Sequence, residues 1–174
     1  DLNYRGTNQI EVEHFIHKGS MTSGSEDSLA IHSKDAHLDG EAHVGTIILD
    51  TNLDAIDLLE GNNGSDKYQT TKTFGVVTDE AVHLDHVPTA RNSGLFIEAK
   101  DIELKGKDTL GTHDLTLIGT EGDVTLEGEY DLNELHIQAA NDAHCHDADI
   151  HTTGDASVCA KDTVSIDDSS IQSE

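Results

Sequence analysis

The chain has 174 residues with 35 acidic against 10 basic side chains, and its formal charge of −25 at pH 7 argues against nucleic acid or an anionic membrane surface as partner. Aromatic residues make up only 3% and tryptophan is absent, which is poor material for stacking on a sugar or a base. No signal peptide, basic amphipathic helix or apolar run of about eighteen residues is legible, so any targeting signal or anchor is expected in another part of a longer protein.

From the N-terminus, apolar residues alternate at Ile10 and Val12, at Leu29 and Ile31 with Ala36 and Leu38 on the next arm, and at Ile47 and Leu49. A two-residue period places alternate side chains on one face of a strand. Its return after about twenty residues marks the coil of a solenoid.

Register is lost between Glu60 and Glu80, where EGNNGSDKYQTTKTFGVVTDE gathers Gly61, Gly64, two asparagines and a Ser/Thr/Lys cluster ahead of Phe74, Val76 and Val77. Insertions in repeat proteins collect in loops on one face, so residues 60–80 are expected to leave the stack as a hairpin or long loop. The coil resumes at Val82 and Leu84, with the single proline, Pro88, at a corner where a missing N–H does no harm.

The second half spells one unit four times: LFIEAKDIELKGK from Leu95, DLTLIGTEGDVTLEG from Asp114, ELHIQAANDAHCH from Glu134 and DASVCAKDTVSID from Asp155. Each is an alternating stretch, a turn rich in Gly, Asp or Asn, and a second alternating stretch. Aligned, the first inward pair is Leu95 and Ile97, Leu115 and Leu117, Leu135 and Ile137, Ala156 and Val158. The second is Ile102 and Leu104, Val124 and Leu126, Ala143 and Cys145, Val164 and Ile166, and a looser third arm supplies Leu110, Leu132, Ile150 and Ile171. Thr116, Thr125, His136, His144, Ser157 and Ser165 fall between them and are predicted to face water. No segment of these units sustains a helical stripe.

The pattern predicts an all-β, right-handed parallel β-helix with three short strands per coil. It reads as one continuous domain over 1–174, with residues 60–80 as an extrahelical insertion. Because the repeat runs to both ends without the atypical capping units of a free-standing solenoid, the chain reads as a segment of a longer protein.

Cys145 falls on an inward ladder between Leu126 and Ile166, whereas Cys159 follows inward Val158 and takes an outward or corner position. The two are not expected to form a disulfide. Cys145 is predicted to be a small buried hydrophobe.

LFIEAKDIELKG, DLTLIGTEGDVTLEG and ELHIQAANDAHCH resemble the haemagglutinin repeats of the filamentous haemagglutinin family, the large bacterial exoproteins of two-partner secretion that include the stalks of contact-dependent inhibition toxins. Glu98–Leu104 (EAKDIEL), Gly119–Leu126 (GTEGDVTL) and Ala160–Ile166 (AKDTVSI) match that family's A-x-D/N/G-x-I/V-x-L step. LLEGNNGSDKYQTTKTFGVV is similar to its Ser/Thr/Lys-rich insertion. The likeness covers Leu95 to Glu174, a little under half of the chain; the acidity and the twelve histidines depart from it. It implies a secreted, cell-surface β-helical shaft or adhesin. Its expected partners are the flanking coils of the same exoprotein, an outer-membrane partner transporter during export, and a host or neighbour-cell receptor.

Among the histidines, the best metal-ligating constellation is AHCHDADIH, in which His144 and His146 project from one side of a strand with Asp147 and Asp149 nearby. Residues two apart on a strand can share a divalent cation. The competing reading is that these are surface histidines of an acidic protein. Their protonation near neutrality would offset part of its charge.

Catalysis finds little support. Polysaccharide lyases built on parallel β-helices need clustered acids for calcium beside a basic residue, and the two arginines, Arg5 and Arg91, have no aligned acid cluster next to them. No nucleophile triad or phosphate loop can be drawn. The sequence therefore predicts a structural or adhesive segment without catalytic site or required cofactor. The alternatives are an acidic module binding a divalent cation or glycan, and a carbohydrate-active β-helix.

Overall fold

A computed structural model describes residues 1–88, 93–108 and 111–173. It is a β-solenoid: 64% strand, parallel sheets, and stacked coils of about 21 residues making about 8 turns. The chain divides into two compact units, Asp1–Thr78 with Ala90–Phe96, and Asp79–Thr89 with Ile97–Glu174.

In the first unit β1 (Leu2–Asn3), β2 (Thr7–His17), β3 (Ser20–Thr22), β4 (Ser28–Leu38), β5 (Glu41–Asp50) and β6 (Tyr68–Val77) pair in parallel. The inward ladder runs Leu29, Ile47, Phe74 on one row and Ile10, Ile31, Leu49, Val76 on the next. Ile10 therefore stacks on Ile31, two residues from the step expected, and Val12 pairs with Ser33 and is 41% exposed. The twenty-residue spacing was right, but alternation alone is satisfied equally by a slip of two residues.

The excursion is shorter than expected and is not a hairpin. Ala55–Glu60 forms a short helix, α1, and Ser65–Lys67 a 3-10 turn, while Tyr68–Val77 is already back in the ladder as β6. Asp54 caps α1 by accepting from the N–H groups of Ile56 at 2.9 Å and Asp57 at 3.3 Å, and Gly61 closes it at φ 85°. Ala55, Leu58 and Leu59 bury its inner side. Gly64 is required where it stands: a Cβ there would lie 2.1 Å from the Leu38 carbonyl oxygen. In β6 the polar run QTTKT hid a strand whose inward residues, Tyr68 and Thr70, are buried beneath outward Gln69 and Thr71.

The second unit holds two ladders. β10 (Asp114–Gly119), β12 (Glu134–Ala139) and β14 (Ala156–Ala160) stack in sequence, with Leu115, Leu135 and Ala156 in one row and Leu117, Ile137 and Val158 in the other. β7 (Val82–Leu84), β9 (Ile102–Asp108), β11 (Val124–Leu132), β13 (Ala143–Thr152) and β15 (Val164–Asp167) stack as the second. Ile102, Val124, Ala143 and Val164 share one row, and Leu104, Leu126, Cys145 and Ile166 the other, as the aligned repeats predict. β8 (Gly94–Ala99) carries the chain from the first unit's residues into the second's.

The second and third arms of a coil are one strand in β9, β11 and β13, turned by a left-handed residue: Gly106 at φ 128°, Gly128 at φ 125° and Asp147 at φ 47°. Between Leu126 and Gly128 the register shifts against β13, so Tyr130 stacks on Ile150 and Leu132 on Thr152. That corrects the third arm, where Leu132 was expected over Ile150; an extra residue in β13 at the bulge accounts for one residue of that shift of two. β16 (Ser170–Ser173) restores the row, Ile171 on Ile150, and Leu110 lies outside the described residues. On the last step, inward Val164 and Ile166 remain 44% and 49% exposed, having β13 on one side only.

Candidate functional site

At the corner where each coil enters its second arm, an aspartate stands one residue before the inward ladder: Asp101 before Ile102, Asp123 before Val124, Asp142 before Ala143. These strands begin in step because each first N–H donates to the carbonyl of the corner residue one coil on, Ile102 to Asp123, Val124 to Asp142 and Ala143 to Thr163, each at 2.9 Å. The aspartates are thereby stacked a strand spacing apart, about 4.8 Å.

Their carboxylates are used in a chain. Asp123 N–H donates to Asp101 Oδ1 at 3.1 Å, and Asp142 N–H donates to Asp123 Oδ1 at 3.1 Å. Asp101 reaches over Gly122, where a Cβ would come within 1.6 Å of its Oδ1. The chain then stops: Asp142 Oδ1 is buried and has no hydrogen-bond partner.

His144, outward and half-buried on β13, stands beside this break. Its Nδ1 lies 2.8 Å from Ser165 Oγ, a hydroxyl able to accept from or donate to the ring and so to fit either tautomer. One ligating atom each from Asp123, Asp142 and His144 lie within 4.8 Å of one another, the convergence of this kind found among the described residues. Two carboxylates and an imidazole form a mixed oxygen and nitrogen donor set.

Of the four residues singled out in the sequence, only His144 belongs to this group. His146 does project from the same strand face and is exposed, with Nε2 3.3 Å from Asp147 Oδ2. Asp147, however, occupies the left-handed bend, and Asp149 lies on the arm beyond it, where its Oδ1 accepts from the Ser170 hydroxyl. Asp147 and Asp149 instead line a shallow depression with Asp168 and Ser169. The bend separates what proximity in sequence joined. Asp123 and Asp142 were missed because their partner lies one coil away; the signal was the aspartate recurring just ahead of each second-arm ladder residue.

Elsewhere, four histidines face carboxylates directly across neighbouring strands: His14 and Asp35 at 2.8 Å, His32 and Asp50 at 2.7 Å, His83 and Glu103 at 3.0 Å, His151 and Asp131 at 3.9 Å. Glu103 is also bridged by Lys105 at 2.9 Å, and hydrogen bonds first from Lys105 and then from His83 hold its carboxyl below the usual range. Such exposed pairs contribute little singly. Asp108 and His113 are different, both buried and 2.9 Å apart. Arg91 lies outside the described residues.

Family models, curated proteins and solved structures offer no match to this chain. No helix is long and apolar enough to cross a membrane among the described residues. The class the fold defines is the parallel β-solenoid.

Proposed function

We propose that the chain is a structural or adhesive segment of a large secreted bacterial surface exoprotein, a stalk or adhesin with no active site of its own. The observation that carries this reading is the continuity of the ladders. Leu104, Leu126 and Cys145, or Leu117 and Ile137, are each at most 1% exposed and stack in register from coil to coil, with charged and hydroxyl side chains alternating outward. A fold whose coils contact chiefly their neighbours suits extension and display. The spelling of the repeats adds the exoprotein family, and with it export through an outer-membrane partner. Flanking coils of the same protein are its nearest partners in this reading.

The test is surface labelling of intact cells that make the protein, using antibody raised against this chain, before and after protease shaving. Labelling of whole cells that shaving removes is the expected result. Signal that appears only after lysis defeats the proposal. Antibody that also blocks attachment to other cells assigns the adhesive role, and attachment unaffected by bound antibody assigns the stalk.

A further inference from the structure

We propose that Asp123, Asp142 and His144 bind one divalent first-row transition-metal ion, zinc being the best match, at the corner of two adjacent coils. Two independent observations meet there. One is the convergence of three ligating atoms from two coils within 4.8 Å. The other is the buried Asp142 Oδ1, an acceptor without a donor at the point where the column of aspartate-to-backbone hydrogen bonds breaks off.

A buried carboxylate oxygen left without a donor is unfavourable, and a second carboxylate one coil away adds like-charge repulsion. In this column Asp101 and Asp123 each take the N–H of the next aspartate, so their charge is partly met by backbone dipoles. Asp142 has no such N–H on its Oδ1. Lys100 pairs with Glu121 at 3.0 Å and Lys105 with Glu103 at 2.9 Å, and no lysine donates to Asp142 Oδ1. A cation supplies what the column lacks.

The donor set selects the ion. Calcium takes six to eight oxygens, whereas one imidazole beside two carboxylates suits zinc, cobalt or nickel. Zinc bonds of about 2.0–2.2 Å place tetrahedral ligand atoms roughly 3.4 Å apart. The ligating atoms lie within 4.8 Å of one another, so binding would draw them together by about 1.4 Å at most. Three protein ligands leave a position for water, and the contact of His144 Nδ1 with Ser165 Oγ orients the ring as an outer-shell partner does.

The experiment titrates EDTA-stripped, desalted protein with zinc by calorimetry and with cobalt by visible absorption, in wild type, Asp142→Asn, His144→Ala and His146→Ala. One equivalent of zinc with a micromolar or tighter Kd is expected, with cobalt bands of low coordination number and no competition from calcium. Asp142→Asn and His144→Ala should each weaken it by about tenfold or more, and His146→Ala should leave it unchanged. Absence of stoichiometric binding overturns the site, as does binding indifferent to Asp142→Asn and His144→Ala or lost equally in His146→Ala. Circular dichroism verifies each fold; should Asp142→Asn not fold, His144→Ala at its half-exposed position decides alone.

Discussion

The imidazole Nδ1 of His17 lies 2.8 Å from the hydroxyl of Tyr68, two residues 51 apart in sequence, and the two side chains are 7% and 0% exposed. The rings meet edge to face at 5.5 Å, and the imidazole fills the space over Gly40, where a Cβ would come within 2.7 Å of it. Its Nε2 is buried without a partner.

Burial, and secondarily the positive amino terminus, hold the His17 pKa below its ordinary value of 6.5. A histidine depressed in the fold is protonated first in the unfolded chain. Its contribution is thus full above about pH 6.5 and is lost as pH falls toward the folded value. His17→Gln should therefore lower the melting temperature at pH 8 but flatten its decline between pH 7 and pH 5. Parallel pH profiles for the two proteins would show that His17 is not the group responsible.

Gly128 should tolerate no side chain. It sits at φ 125°, and a Cβ would meet the Gly106 carbonyl oxygen at 1.8 Å, backbone that cannot step aside. Gly128→Ala is expected to destabilise by at least about 1–3 kcal/mol in urea melts, whereas Gly111→Ala, with nothing within 4 Å of its Cβ, should show only the strain of φ 66°. Equal effects would mean the close approach at the bend is relieved by local movement.

Leu117, fully buried and stacked on Ile137, should lose about 2–5 kcal/mol on truncation to alanine. Thr116→Ala, one residue away on the outward face, should stay within about 0.5 kcal/mol. Chemical denaturation of the pair measures both, and similar losses would contradict the assignment of faces.

The two thiols should react on separate timescales. Cys159 is exposed, while Cys145 is buried and burial pushes its thiol pKa up. A thiol-specific reagent at pH 8 is expected to modify one cysteine promptly and the second only on unfolding. Two fast equivalents would place Cys145 nearer the surface than its stacking on buried Leu126 suggests.

The second-arm rows were readable residue for residue, because hydrophobic alternation repeated four times leaves one alignment that brings every copy into the same two rows. Where copies are fewer, as at Ile10 and Val12, alternation allowed a slip of two residues that only the hydrogen-bond ladder of β2 on β4 resolves. The short helix α1 escaped notice because six residues are too few for a 3.6-residue period to stand out. Its signals were local ones, Asp54 ahead and Gly61 behind.

The candidate site divides the same way. His144 was legible as an outward ligand because a strand's two-residue period determines which side chains face water. That Asp149 turns away while Asp123 and Asp142 come near is decided by the bend at Asp147 and by stacking one coil on the next. The solenoid, its period, the inward rows and the exposure of both cysteines could be read before any fold was seen, all being consequences of local periodicity. Register at the bulges, the partners of buried His17 and Asp108, and the meeting of carboxylates from neighbouring coils emerge with the stacked fold. Those depend on distances across the stack, which residues far apart in the chain share only once every hydrogen bond between coils has been made.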